Sequence, residues 1–249
     1  MSRPSSPVIA TLAQTLIELR LTARRGESVL VTVMIPAVVL VFFATAGVLP
    51  TPSGRPVDFL LPGSIALAII ATSLVNLGIA TAYERQYGVL KRLGGSPLTR
   101  GGLLAAKVAS VLVVEALQVV LLVAIAVAIL GWNPAPGANP VMLVGVVLLG
   151  TFVFAGLGLL MAGAIRAEAT LALANALFIV AMLLGGIILP LDHLAEPLAA
   201  LAGLLPAAAL SDAIRAALGQ ELDLGRPLVI LLAWAAGSIG LAARTFRWE

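Results

Sequence analysis

Six long apolar segments determine the solvent in which this chain can fold. They cover residues 28–49, 59–82, 108–131, 141–165, 171–189 and 227–243, and Glu115 is their one acidic or basic residue. Each has the length of about 17 to 25 residues with which an α-helix crosses a bilayer. With 61% hydrophobic and 11% charged residues, most apolar side chains would stay outside a water-soluble core. We therefore predict an all-α integral membrane protein with six transmembrane helices, forming one domain over residues 1–249.

The lysine and arginine distribution predicts how these helices are oriented. If both termini are cytoplasmic, only Arg55, Arg215 and Arg226 of the 15 basic residues lie outside. An excess of basic residues in cytoplasmic loops is the usual pattern in membrane proteins. We expect a multi-pass protein of the cytoplasmic membrane, with both termini inside the cell and the surrounding lipid as a partner.

The connections predict three further elements. Residues 8–25 place apolar side chains on one helical stripe with Gln14 and Glu18 roughly opposite, which is typical of an amphipathic helix at the membrane interface. Residues 83–107 form a charged inner connection between spans two and three. Residues 190–226 contain two apolar runs too short to span, which predicts an outer helical hairpin between spans five and six. This hairpin either enters the outer leaflet or packs as a lid on the helix ends.

The residue types that usually carry catalysis are scarce. The sequence has no cysteine, its one histidine is His193, and it contains neither an HExxH nor a GxSxG pattern. It also lacks the GxxxxGK[ST] phosphate loop. The basic residues lie near helix ends, where topology and lipid headgroups account for them without nucleic acid. We expect no catalytic residue, metal site or cofactor in this chain, and no nucleic-acid partner.

The inner connection, residues 83–107, contains a Gly-Gly-Ser-Pro break. Ser96 can cap a short helix that starts near Pro97. Such a helix can transmit movement between a soluble partner and the two neighbouring spans. Composition by itself favours a plain positive-inside loop.

The same connection carries a recognisable order of residues: Glu84, Arg85, Gly88, Leu90, Lys91, Arg92, Leu93, Pro97, Leu98, Arg100 and Lys107. This order resembles the signature of the type-2 permease family of ATP-binding-cassette exporters. Further resemblances follow in the family's order, at Leu61-Pro62-Gly63, residues 175–178, Pro190-Leu191-Asp192, Leu205-Pro206 and residues 212–216. Gln86 departs from the family pattern, which usually has a second acidic residue there.

The resemblance implies a permease that works with a separate ATPase subunit, which binds ATP and Mg²⁺, and with a second permease chain, identical or different. Residues 94–104 would form the coupling helix, and docking would involve Glu84, Arg85, Gly88, Lys91, Arg92, Pro97, Leu98 and Arg100. The implied activity is export of a hydrophobic or amphipathic compound, such as a drug, an antibiotic or a lipid. An ion-coupled carrier and a non-transporting membrane assembly factor are the alternatives.

Polar residues inside the predicted spans mark a second candidate site. Glu115 lies near mid-bilayer, Gln118 follows one turn later, and Thr72, Ser73 and Asn76 form a polar patch in the second span. A charged residue at this depth is costly, so Glu115 should face the interior of the bundle. These side chains either form a substrate or proton site or tie helices together.

Two further predictions concern the outer face and the helix contacts. The candidates for an outer gate are Asp192, His193, Asp212 and Arg215. His193 beside Asp192 either senses pH or lines an exit, or it is a solvated loop residue. Glycines in the fourth span, including Gly145 and Gly158, allow neighbouring helices to approach closely.

Overall fold

The computed structural model describes residues 6–24, 26–47, 55–95 and 98–245, and every regular element in these ranges is helical. The helices are α1 (Pro7–Arg24), α2 (Gly26–Ala46), α3 (Pro56–Ile69), α4 (Leu77–Gln86), α5 (Val89–Leu93), α6 (Arg100–Ala128), α7 (Pro140–Ala164), α8 (Ala167–Leu184), α9 (Glu196–Ala202), α10 (Pro206–Ala217) and α11 (Gly225–Thr245). A π-helical segment (Ile70–Asn76) joins α3 to α4, so Pro56–Gln86 forms one continuous rod of 31 residues.

Within the described residues, five helical stretches are long and apolar enough to cross a bilayer. They are the rod Pro56–Gln86, α6, α7, α8 and Gly225–Arg244 within α11. The pair α9 and α10, bent by 77°, makes a sixth if it is counted as one span. The first predicted segment falls on α2, in which Thr32–Ala46 is the apolar stretch among the described residues. The prediction of an all-helical, multi-pass membrane protein is confirmed, with five to six candidate spans.

The rod Pro56–Gln86 is the core of the bundle. Every residue from 59 to 74 is buried, as is typical of a mostly apolar helix surrounded by other helices. In the apolar stretch of the rod 78% of the residues are buried, compared with 28% in that of α6. The rod is therefore central and α6 is peripheral. The rod packs against α2, α6, α7, α8 and α10. These five helices are therefore positioned by their contacts with it.

The two ends of the bundle differ in charge. Basic side chains collect at or near helix ends on one side, which we call the basic end: Arg24, Arg85, Lys107, Arg166 and Arg244. The opposite side carries α9 and α10, and we call it the hairpin end. This separation of charge is the pattern that the lysine and arginine count predicts.

The hairpin end is held together mainly by α10, which is buried against α3, α7 and α11. The Gln220 side chain donates a hydrogen bond to the Asp58 carbonyl at 2.6 Å, and the Asn139 amide donates to the Ala217 carbonyl at 2.8 Å. The shorter helix α9 is largely exposed. Of the two helices in the 190–226 connection, the second is thus an integral part of the bundle.

The third span begins earlier than its hydropathy indicates. Helix α6 starts at Arg100, where the Thr99 hydroxyl accepts the Gly102 amide at 3.0 Å and caps the helix. Residues 100–104, which the sequence assigns to a separate coupling helix, are the first turn of α6, and the short helix here is α5. Ser96 and Pro97, the expected start of the coupling helix, lie outside the described residues.

Two glycines let the rod and α7 meet backbone to backbone. A Cβ atom at Gly158 would lie 2.9 Å from the carbonyl oxygens of Ser73 and Leu74, and one at Gly78 would lie 3.1 Å from the Gly158 Cα atom. Small residues permit such close approach between helices in a membrane. Gly145, in the same helix α7, has no described atom within 4 Å of such a Cβ.

The variant Gly158→Val tests this contact. We expect it to lower the free energy of unfolding by roughly 1–3 kcal/mol, because a larger side chain must push the rod away from α7. The matched control Gly145→Val changes the same residue type in the same helix and should shift stability by less than about 0.5 kcal/mol. Thermal unfolding of the purified full chain in mild detergent measures both, and equal losses would contradict the packing.

Candidate functional site

A buried ammonium group joins three helices at the basic end. Lys107 of α6 is 1% exposed, and its Nζ atom lies 2.6 Å from Glu84 Oε2 in α4 and 3.1 Å from Glu18 Oε1 in α1. Gln14 Nε2 donates a further hydrogen bond to Glu18 at 2.8 Å. Buried charges persist when they are paired in this way. The polar side of α1 therefore faces α6, while apolar residues such as Val8 are exposed on its outer side.

The two residues after Glu84 bind two further helices. The Arg85 guanidinium donates to the carbonyls of Gly163 and Ile165, each at 2.5 Å, at the C-terminal end of α7. These carbonyls belong to the group that a helix end leaves without intrahelical partners. Gln86 Nε2 donates to Glu168 Oε1 of α8 at 2.8 Å. The end of α4 is thus bonded to α6, α7 and α8 through three consecutive side chains.

Helix α5 presents basic side chains from an anchored position. It follows Gly88, whose φ of 70° is a left-handed conformation that favours glycine. Leu90 is fully buried in the same hydrophobic cluster as Leu103 of α6. Lys91 and Arg92 are exposed. A force applied to the exposed side of α5 would therefore reach α6 through its buried side.

The predicted docking residues fall into distinct environments. Those exposed at the surface are Lys91, Arg92 and Arg100, and those directed into the bundle are Glu84, Arg85 and Leu98. Gly88 forms the turn before α5, and Pro97 lies outside the described residues. The sequence did not predict that Glu84 and Arg85 form bonds with other helices inside the bundle. The spacing of Gln14 and Glu18 on one helical face was the available signal for a polar contact of α1.

Four helical elements are connected by polar side chains near the middle of the bundle. Thr151 Oγ1 of α7 donates to Glu115 Oε2 at 2.5 Å, and Thr72 Oγ1 of the π-helical segment donates to Gln118 Oε1 at 2.9 Å. Gln118 Nε2 donates in turn to the Thr32 carbonyl of α2 at 3.2 Å. Glu115 is completely buried, as expected. These bonds agree with the interpretation that the polar side chains tie helices together.

The π-helical segment carries the remaining members of this patch. Ser73 Oγ donates to the Ile69 carbonyl at 2.5 Å, and Asn76 ends the segment and faces cavities on the rod. Such segments occur frequently at functional sites. The sequence predicted neither the π-helical turn nor the part played by Thr151, a hydroxyl within an otherwise apolar helix.

Two cavities lie on either side of Glu84. The smaller, about 40 Å³, is lined by α1, the rod and α6 and reaches from Lys107 to Thr72. The larger, about 420 Å³, is lined by one face of the rod and by Val89. Asn76 and Glu84 contribute to both cavities. The first has the size of a water site, and the second is an open groove on the surface of the rod.

The hairpin end contains the predicted gate residues in two environments. Arg215 of α10 is buried, donates to Asp212 Oδ1 at 2.8 Å and to the Gly186 carbonyl, and lies 4.2 Å from the centre of the Phe59 ring. Asp192 and His193 are exposed in the 3₁₀ turn Leu191–His193. Arg215 thus joins α10 to the end of α8 and to α3. The gate function of all four residues stays a prediction.

The fold identifies the class of this protein, and the comparison with known families identifies its family. A bundle of five to six apolar helices, arranged around a central rod and joined by polar bonds, is a multi-pass membrane protein. Residues 10–218 match the family described as ABC-2 type transporter, so the chain belongs to that family and has the membrane domain of an ABC permease. The resemblance read from the sequence is confirmed. The comparison with curated proteins found no match.

The variant Lys107→Met tests the ion cluster of the basic end. We expect it to lower the free energy of unfolding by roughly 3–5 kcal/mol, because it leaves two carboxylates without their buried partner. The triple variant K107M/E18Q/E84Q should recover most of the loss, since it removes the stranded charges. Thermal unfolding in detergent measures both, with the exposed Arg92→Met as control. A single variant as stable as the parent chain would refute the cluster's structural role.

Proposed function

We propose that this chain is the permease subunit of an ATP-binding-cassette exporter that moves a hydrophobic or amphipathic compound, such as a drug, an antibiotic or a lipid, out across the cytoplasmic membrane. The observation that carries the proposal is the family match over residues 10–218. The 249 residues contain no phosphate loop. The family match supports a separate ATPase subunit that binds ATP and Mg²⁺, and in this proposal the 249 residues carry no catalytic residue of their own.

The basic end is the part of the molecule that we assign to the ATPase. Lys91 and Arg92 are exposed on α5, while Leu90 holds the same helix in the bundle. The neighbouring end of α4 is bonded to α6, α7 and α8. A displacement of α5 would therefore move several helices together. This mechanical linkage supports α5, a helix of five residues, as a coupling helix.

The orientation and the assembly follow from the same proposal. The basic end would face the cytoplasm, since basic residues accumulate on that side of membrane proteins. Both termini would then be cytoplasmic, with α1 at the membrane interface. A second permease chain, identical or different, would complete the pathway. The ion-coupled carrier and the assembly factor are less well supported, because the family match favours an ATP-driven permease and Glu115 is bonded to a neighbouring helix.

The double variant K91E/R92E tests the docking surface. We expect at least a tenfold loss of co-purified ATPase subunit, because reversing two charges at an interface places like charges opposite each other. The chain should still fold, since both side chains are exposed. Arg244→Glu, at the end of α11 on the same end of the bundle, is the matched control. Undiminished recovery of the ATPase with the double variant would contradict docking at α5.

A second experiment tests the energy source. The native complex is purified in mild detergent, its co-eluting proteins are identified, and it is reconstituted in liposomes with or without ATP. We expect a nucleotide-binding subunit to co-elute and transport to require ATP. Transport driven by a pH gradient without nucleotide would favour the ion-coupled carrier. A complex whose ATPase activity responds to no transported compound would favour the assembly factor.

A further inference from the structure

One stripe of the rod forms the wall of the larger cavity beside Glu84. The residues that line it recur every three or four positions along the helix: Asn76, Ile79, Ala80, Tyr83, Glu84 and Tyr87. Val89 of α5 closes one side. The groove has a volume of about 420 Å³ and is open on the side away from the rod. The stripe combines aliphatic, aromatic, amide and carboxylate groups, which is the mixture that orients an amphipathic ligand.

Two tyrosines supply an aromatic surface in this groove. The rings of Tyr83 and Tyr87 are stacked, with centroids 6.0 Å apart and planes at 25°. Tyr87 is 69% exposed, although it is a large aromatic side chain. The faces of such rings carry partial negative charge and attract cations, including quaternary ones. The aromatic pair is therefore suited to a positively charged ligand with apolar substituents.

The lining of the groove carries negative charge, as the faces of the tyrosine rings do. Glu84 is the charged residue in it, and the cluster to which Glu84 belongs contains two carboxylates, Glu18 and Glu84, paired with one ammonium, Lys107. The cluster therefore carries one negative charge in excess. Arg85 directs its guanidinium to carbonyls of α7, away from the groove lining. Among the described residues that line the groove, the ionic group is thus a carboxylate.

We propose that this groove, built by Tyr83, Glu84 and Tyr87 with Asn76 at its far end, binds lipophilic cations and selects them as substrates at the basic end. The binding site is inferred from the geometry of the groove. Its role in selecting substrates rests on the proposed permease function. A lipophilic anion of the same shape would meet the excess negative charge and the ring faces and bind more weakly.

Tetraphenylphosphonium and tetraphenylborate are a matched cation and anion with which to test the site. Their binding to the full chain, purified in a neutral detergent, is measured by equilibrium dialysis. The double variant Y83L/Y87L gives the background from partition into micelles. We expect the phosphonium to bind above this background and the borate not to do so. Equal specific binding of the two ions, or binding of the borate alone, would overturn the proposal.

Single variants separate recognition from folding. Tyr83→Leu and Tyr87→Leu should each weaken phosphonium binding about fivefold, whereas Tyr83→Phe keeps the ring and should bind nearly as the parent does. Phe152→Leu, which removes an exposed aromatic ring from α7, is the control and should leave binding unchanged. Glu84→Gln should also weaken binding, and thermal unfolding shows whether the cluster survives in it. Phosphonium binding unaffected by both tyrosine variants would refute the site.

The outcome also distinguishes this inference from the proposed function. Cation-selective, tyrosine-dependent binding to a chain that recruits no ATPase would support the site and reject the permease role. An ATPase complex stimulated by neutral compounds, with phosphonium ions neither bound nor transported, would support the permease role and reject the cation site.

Discussion

The burial of one ammonium group determines the geometry of the basic end. Lys107 is stable away from water only with carboxylates in contact, which Glu84 supplies at 2.6 Å and Glu18 at 3.1 Å. The pairing brings α1 against α6 and fixes the end of the rod beside both. Apolar helix contacts tolerate small displacements, whereas a buried ion pair that separates leaves uncompensated charge. The remaining contacts of this end are arranged around that requirement.

The rod links the ion cluster of the basic end to the rest of the molecule. Its end is bonded to α7 and α8 by Arg85 and Gln86, its middle is bonded to α6 through Thr72, and its other end accepts a hydrogen bond from Gln220. One helical element thus connects α5, the central polar side chains, the tyrosine groove and the hairpin end. In the proposed transporter, the rod joins α5, where the ATPase docks, to the groove where a ligand binds.

Hydropathy predicted much of this fold because crossing a bilayer is a local requirement on each segment. The predicted spans coincide with helices, and the ordered family matches led to the family that the comparison confirms. Hydropathy placed the start of α6 too late, because its first turns carry the charged residues Arg100 and Lys107. It also could not show that Lys107 is buried, since that depends on carboxylates 23 and 89 positions away in sequence.

The sequence by itself determined that the chain is helical and membrane-spanning, that its basic residues gather at one end, and that it has the residue order of a permease. Only the tertiary structure decided which side chains meet. It turned the polar side of α1 inward, paired Glu115 with Thr151, and brought Glu18 and Glu84 to Lys107. The physical reason is that hydrophobicity is a property of each segment, whereas ion pairs, hydrogen bonds and cavities exist only between segments that folding brings together.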